Sequence, residues 1–187
     1  MLRYIEETGK YVELTGFRNV SIKNVEGFVK AIREATLQKA WVQFLDAELV
    51  ATWQHLYFAV LNALLAFRNE CNISKSIAME VMLYASAQRQ IRKAIQLIGI
   101  KRCSENVAVV IIGLNLDSIR AVLSTISNFF RSEPDETVLE LTEKKIKRIR
   151  KAFKICDEEL EAVNKKNVEK ALVNLVIERT ALLSTQL

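Results

Sequence analysis

The sequence predicts an α+β fold: a small sheet, made of an N-terminal hairpin plus central strands, packed against a helical layer with a long buried helix at its centre. Three observations lead there. Four short stretches carry strand-like patterning, and the first two sit side by side at the start of the chain. Stretches with helical periodicity outnumber them and do not alternate strictly with them, as a doubly wound sheet would require. Of the 187 residues, 50% are hydrophobic and 26% charged, a globular composition able to bury a core. With one proline, Pro134, and no Ser- or Gly-rich linker, residues 1–187 read as one domain.

Leu2 to Glu6 and Tyr11 to Phe17 form the predicted hairpin around Thr8-Gly9; in the second strand Val12 and Leu14 alternate with Glu13 and Thr15. Val25, Phe28, Val29 and Ile32 share one helical face, with Asn24 as cap. Trp41 to Leu45 is a short apolar strand. Asp46 ends it and opens a helix from Ala47 to about Asn69, apolar nearly all round and therefore the central one. Two shorter helices follow, Ser76 to Tyr84 and Ala87 to Ile98, the latter with Ser86 as cap and Gly99 as stop. In the second, Ile91, Ala94, Ile95 and Ile98 read as the inward stripe. Val107 to Ile112 is a β-branched strand ended by Gly113. Helices at Asp117 to Phe130, Glu143 to Ile155, Asp157 to Val163 and Val168 to Leu183 complete the chain, with a loop over 131–137.

Several functions lack sequence support. The five glycines form no phosphate-cradling loop, and there is no Gly-x-Ser-x-Gly elbow. Cys71, Cys103 and Cys156 are far apart and make no Cys-x-x-Cys pair, which argues against zinc or a disulfide framework and for a reduced cytoplasmic interior. No metal or cofactor site is expected. The N-terminus carries acids where a signal peptide needs an apolar run. The apolar region Leu49 to Phe67 is broken by polar residues, whereas a bilayer span needs roughly 20 mostly apolar ones. The lone histidine, His55, reads as a core residue or as part of a ligand surface. Asp46 and Glu48 sit where carboxylates complement a helix dipole, the simpler alternative to an acid–base pair.

Charge is more informative. Between Ser74 and Ser104 stand Lys75, Arg89, Arg92, Lys93, Lys101 and Arg102 against the single acid Glu80, an excess equal to the +5 of the whole chain. Such a cluster is either a solvated face or a surface for phosphate oxygens. A second run, Lys144, Lys145, Lys147, Arg148, Arg150, Lys151 and Lys154, is bracketed by acids that can neutralise it locally. The last helix, with Leu172, Leu175 and Val176 among its apolar residues, is either core or covered by a partner.

An ordered set of phrases adds to this reading. Val42-Gln43-Phe44-Leu45-Asp46-Ala47 is followed by His55-Leu56-Tyr57-Phe58-Ala59, Asn72-Ile73-Ser74-Lys75-Ser76, Met79-Glu80, Leu83-Tyr84-Ala85-Ser86, Arg89-Gln90-Ile91, Lys93-Ala94-Ile95, Gly99-Ile100-Lys101 and Glu178-Arg179-Thr180-Ala181-Leu182-Leu183. Together they resemble the kinase-binding subunit of the KEOPS (EKC) complex, the family of the PRPK-binding protein, in its archaeal form. The resemblance implies a non-catalytic subunit that binds the small atypical kinase/ATPase and, through it, the Kae/OSGEP-type transferase and the Pcc-type subunit. It implies a part in threonylcarbamoyladenosine modification of tRNA and contact with the 3′ CCA end of tRNA. Carried onto this chain, Asn72, Ile73, Ser74, Lys75, Ser76, Arg89 and Gln90 become the tRNA surface. Arg92 and Lys93 would add charge, and His55 and Tyr84 would stack. Leu172, Leu175, Val176 and Arg179 become the kinase-facing set. Thr180 departs from the apolar residue the resemblance leads one to expect. The competing reading is a protein-interaction adaptor without RNA binding.

Overall fold

The computed structural model describes residues 1–36, 40–164 and 166–185. The hairpin forms as the alternation requires. β1 (Leu2–Ile5) pairs antiparallel with β2 (Lys10–Phe17). Gly9 takes a φ of +64° in the turn and donates its N–H to the Ile5 carbonyl at 2.9 Å, a conformation glycine adopts without Cβ strain. The sheet continues with β4 (Val107–Gly113) and β3 (Ala40–Asp46) in the order β1-β2-β4-β3, with every neighbouring pair antiparallel. β3 is thus an edge strand, although it lies early in the chain.

The sheet carries helices on both faces, one more layer than the sequence led us to expect. All seven residues of β4 are buried, which a one-sided sheet does not allow. Val107, Val109 and Ile111 face α1 (Val25–Thr36) and α5 (Leu116–Phe130). Ala108, Val110 and Ile112 face α2 (Trp53–Arg68) and α3 (Ile77–Ser86). A third cluster joins Ile149 and Phe153 of α6 (Glu143–Phe153) and Leu160 of α7 (Asp157–Asn164) to Leu172, Leu175 and Val176 of α8 (Val168–Leu182). No helix among the described residues is long and apolar enough to cross a membrane.

Two helix boundaries and one helix face differ from expectation. The long helix does not start at Ala47. Asp46 Oδ1 accepts the Glu48 N–H at 3.1 Å and caps only a 3₁₀ turn over Ala47–Leu49; Val50 is extended, and α2 starts at Trp53. The break lets Val50 enter the sheet-side core while Ala51 enters the α6–α8 cluster. Ser86 is the last residue of α3 and not a cap. Ala87 adopts the left-handed conformation (φ 50°) that ends α3, and α4 (Ile91–Ile98) begins only after it. Finally, α4 packs through Ala94 and Ile98, both fully buried, whereas Ile91 and Ile95 are 43% and 46% exposed. Four apolar residues at helical spacing read as one inward stripe, but α4 is short and lies on α3 along one ridge, so half the stripe faces outward. Gly99 does stop α4: a Cβ there would lie 2.5 Å from the Ile95 carbonyl oxygen.

Candidate nucleic-acid interface

The segment between α2 and α3 is shaped by one buried carboxylate. Glu80 lies in the first turns of α3 and is completely buried. Its Oε1 accepts the Ile73 N–H at 3.0 Å and its Oε2 the Ser74 N–H at 2.6 Å. The Asn72 amide donates to the Ser74 carbonyl at 2.9 Å, and the Ser76 N–H donates to Ser74 Oγ at 3.2 Å. The five-residue phrase is therefore knitted to itself and to α3. Ser74 is buried, Asn72, Ile73 and Ser76 are half-buried, and Lys75 is exposed.

The electrostatic consequence is specific. The only acid between Ser74 and Ser104 is withdrawn from the surface and satisfied by backbone donors. Everything charged that this segment exposes is positive: Lys75, Arg89, Arg92, Lys93, Lys101 and Arg102. Arg89 donates to the Leu183 carbonyl at 3.4 Å, and Gln90 is exposed beside it. Burial pushes the Tyr84 phenol above its ordinary pKa; Glu80 and then Cys71 add to that rise, and Arg89 opposes it.

Two proposed stacking residues are not at the surface. Tyr84 is 3% exposed. His55 is fully buried, and both ring nitrogens are taken: Nδ1 accepts the Ala51 N–H at 3.3 Å, and Nε2 lies 2.8 Å from the Ala85 carbonyl, to which it donates. Its ring meets Phe153 edge-on at 5.8 Å. Burial drives its pKa from 6.5 down to about 4, with the Ala85 hydrogen bond opposing and Lys145 reinforcing the drop. His55 is a neutral core residue tying α2 to α3 and α6, and it leaves the RNA-facing set. Of the two readings the sequence left open for His55, core residue and ligand surface, the structure selects the core, as an apolar helix around it suggests.

The kinase-facing set also needs correction. Leu172 and Val176 are fully buried and Leu175 nearly so, packed inside this chain against α6 and α7. They offer no surface to a partner. Arg179 pairs with Glu159 of α7 at 2.8 Å and fastens α8 to it. Thr180 is buried too, and its hydroxyl donates to the Val176 carbonyl at 3.1 Å, so a polar residue fits where an apolar one was expected. The opposite side of α8 is different. Val173, Asn174 and Ile177, with Trp53 and Phe58 of α2 and Leu141, line a groove of about 1000 Å³. Phe58 is 37% exposed there, a large ring on an otherwise core helix.

The second basic run is partly neutralised. Arg150 pairs with Asp157 at 2.6 Å, as the flanking acids suggested. Arg148 and Lys144 pair instead with Glu48, at 2.9 and 3.5 Å, from a distant part of the sequence. Lys145 is buried, donates to the Val138 and Glu140 carbonyls at 3.1 and 2.9 Å, and is held by desolvation at a pKa of about 8.

A family model described as kinase binding protein CGI-121 matches residues 17–184. A regulatory protein Cgi121 from Methanocaldococcus jannaschii is 37% identical over 113 residues, which is 60% of this chain and 70% of that protein.

Proposed function

The chain belongs to the kinase-binding CGI-121 family, and from that premise we propose that it is a non-catalytic cytoplasmic subunit of the KEOPS complex that docks on the small atypical kinase/ATPase and presents tRNA to the assembly. On this reading the Kae/OSGEP-type transferase and the Pcc-type subunit are reached through the kinase. The tRNA is held near its 3′ CCA end by the loop at residues 72–76 and by α4. The observation that carries the RNA half is the burial of Glu80, which leaves Lys75, Arg92 and Lys93 exposed without a competing carboxylate on the same segment. Phosphate oxygens are the natural ligands of such a surface.

The kinase half is moved by the buried state of Leu172, Leu175 and Val176 to the other side of the same helix. The groove with Trp53, Phe58, Val173 and Ile177 supplies apolar anchors at the helix surface, the kind of contact that dominates protein interfaces. One observation favours the adaptor reading: Ile91 and Ile95 expose apolar surface in the middle of the basic helix, and proteins use such contacts as readily as nucleobases do. The test is a tRNA titration of the wild type and of Lys75→Ala/Arg92→Ala/Lys93→Ala, with kinase binding measured in parallel. The reading expects the triple variant to lose tRNA affinity and to lower the log–log salt slope by about 2 to 3, while keeping the kinase. Equal tRNA affinity for both proteins refutes the RNA half and leaves the adaptor.

A further inference from the structure

The two basic runs, far apart in the sequence, line one cleft. It has a volume of about 700 Å³ and is lined by Leu97 of α4, by residues 101 and 103–106, by Asp46, Glu48 and Leu49, and by the 144–152 face of α6. Lys101 comes from the segment that follows α4, and Lys144, Arg148 and Lys151 from α6. Those three positions follow the i, i+4, i+7 rule and share one helical face. Leu97 lies one turn beyond Lys93 on the same face of α4, so the cleft continues the surface already assigned to RNA.

The cations lining the cleft outnumber its acids by four to three, Lys101, Lys144, Arg148 and Lys151 against Asp46, Glu48 and Glu105. Asp46 is occupied internally, accepting the Glu48 N–H at 3.1 Å and the Ser104 hydroxyl at 2.9 Å. Glu48 lies between two cations, 2.9 Å from Arg148 and 3.5 Å from Lys144. One carboxylate holding two cations side by side leaves a net positive pair. Lys101 and Lys151 have no carboxylate within ion-pair distance among the described residues. Arg102 adds an exposed charge beside Lys101. Glu105 is the remaining acid of the lining.

We propose that this cleft is a second phosphate-binding surface, taking a further stretch of backbone of the same RNA that α4 and the 72–76 loop hold. The proposal rests on the RNA reading above and extends it from a strand end to a longer path across the molecule. Glu48 is then a positioning residue, fixing Lys144 and Arg148 along the path.

The experiment compares two probes, a full-length unmodified tRNA transcript and a short single-stranded oligonucleotide ending in CCA. The proteins are the wild type, Lys101→Gln/Lys144→Gln/Lys151→Gln, and the loop and α4 variant used above. Losing three phosphate contacts should lower the log–log salt slope for tRNA by about 2 to 3 and leave oligonucleotide binding unchanged. An unaltered slope for tRNA overturns the proposal while the RNA reading stands. Equal losses on both probes also overturn it, since the cleft then adds no separate stretch. If the loop and α4 variant keeps full tRNA affinity while the cleft variant loses it, the earlier placement fails and the cleft stands. Failure of the wild type to bind either probe at low salt overturns both. Retained kinase binding shows that each variant is folded.

Discussion

His55 offers a quantitative check, because its environment fixes both its charge state and its effect on stability. The perturbation is acidification, with His55→Gln as the reference protein that cannot take up the proton. In the folded chain the imidazole has a pKa of about 4, against 6.5 ordinarily. As the pH falls from 6.5 towards 4, the unfolded chain binds this proton and the folded chain does not. Acid therefore favours unfolding through this residue, and the stability present above pH 6.5 is lost as the pH approaches the folded value. A shift of this size is worth about 3 kcal/mol. At pH 8 the wild type should be the more stable protein by about 1–2 kcal/mol, because glutamine cannot reproduce both hydrogen bonds in the histidine's packing. The assay is urea unfolding followed by far-UV circular dichroism, at pH values from 8 down to 4, for both proteins. The carboxylates titrate alike in both, so the difference between the two curves isolates His55. That difference should pass through zero between about pH 5 and 6 and have fallen by about 3 kcal/mol at pH 4. Parallel curves over the whole range would refute a buried neutral histidine and return His55 to the surface.

Three further outcomes follow from the packing. Glu80→Ala leaves the Ile73 and Ser74 N–H groups without their acceptor; it should cost about 2–4 kcal/mol and weaken tRNA binding without lowering the salt slope, since no phosphate contact is removed. Leu175→Asp places a charge in the α6–α8 core and should abolish folding, seen as loss of cooperative unfolding, whereas Ile177→Glu should leave the fold intact and weaken the kinase complex by about 2 kcal/mol or more. Lys145 binds its proton less tightly in the folded chain, with a pKa of about 8 against 10.5, so its share of stability should rise as the pH goes from 8 to 10.5. The wild type should gain about 3 kcal/mol on Lys145→Met over that window in the same unfolding assay.

The strands and most helices were legible because their signals are local. The period-2 pattern of Val12 and Leu14 and the β-branched run of Val107 to Ile112 gave the right elements. Asn115 and Thr142 cap α5 and α6 through their side chains, accepting the Ser118 and Lys145 N–H groups at 2.8 and 3.3 Å, as short polar residues at helix starts do. What failed was the choice of face. α8 carries apolar residues on more than one face, so its sequence does not distinguish Leu172 and Val176, which are core, from Val173 and Ile177, which line a groove. Ile91 and Ile95 fit the inward stripe of α4 by spacing, yet face out because α4 meets a neighbour along one ridge only. The sequence showed that Glu80 was the one acid among six cations but not that it was buried. It showed two basic runs but not that they line one cleft, because that depends on how α4 and α6 sit beside the sheet.

The central claim is that the 72–76 loop and α4 hold the 3′ end of tRNA. It is tested most directly by measuring the affinity of the wild type for one tRNA with and without its terminal CCA, at a single fixed salt concentration. The result expected is a clear loss of affinity on removing CCA, and a Lys75→Ala/Arg92→Ala/Lys93→Ala variant that no longer distinguishes the two RNAs. Equal affinity of the wild type for both RNAs would contradict the claim.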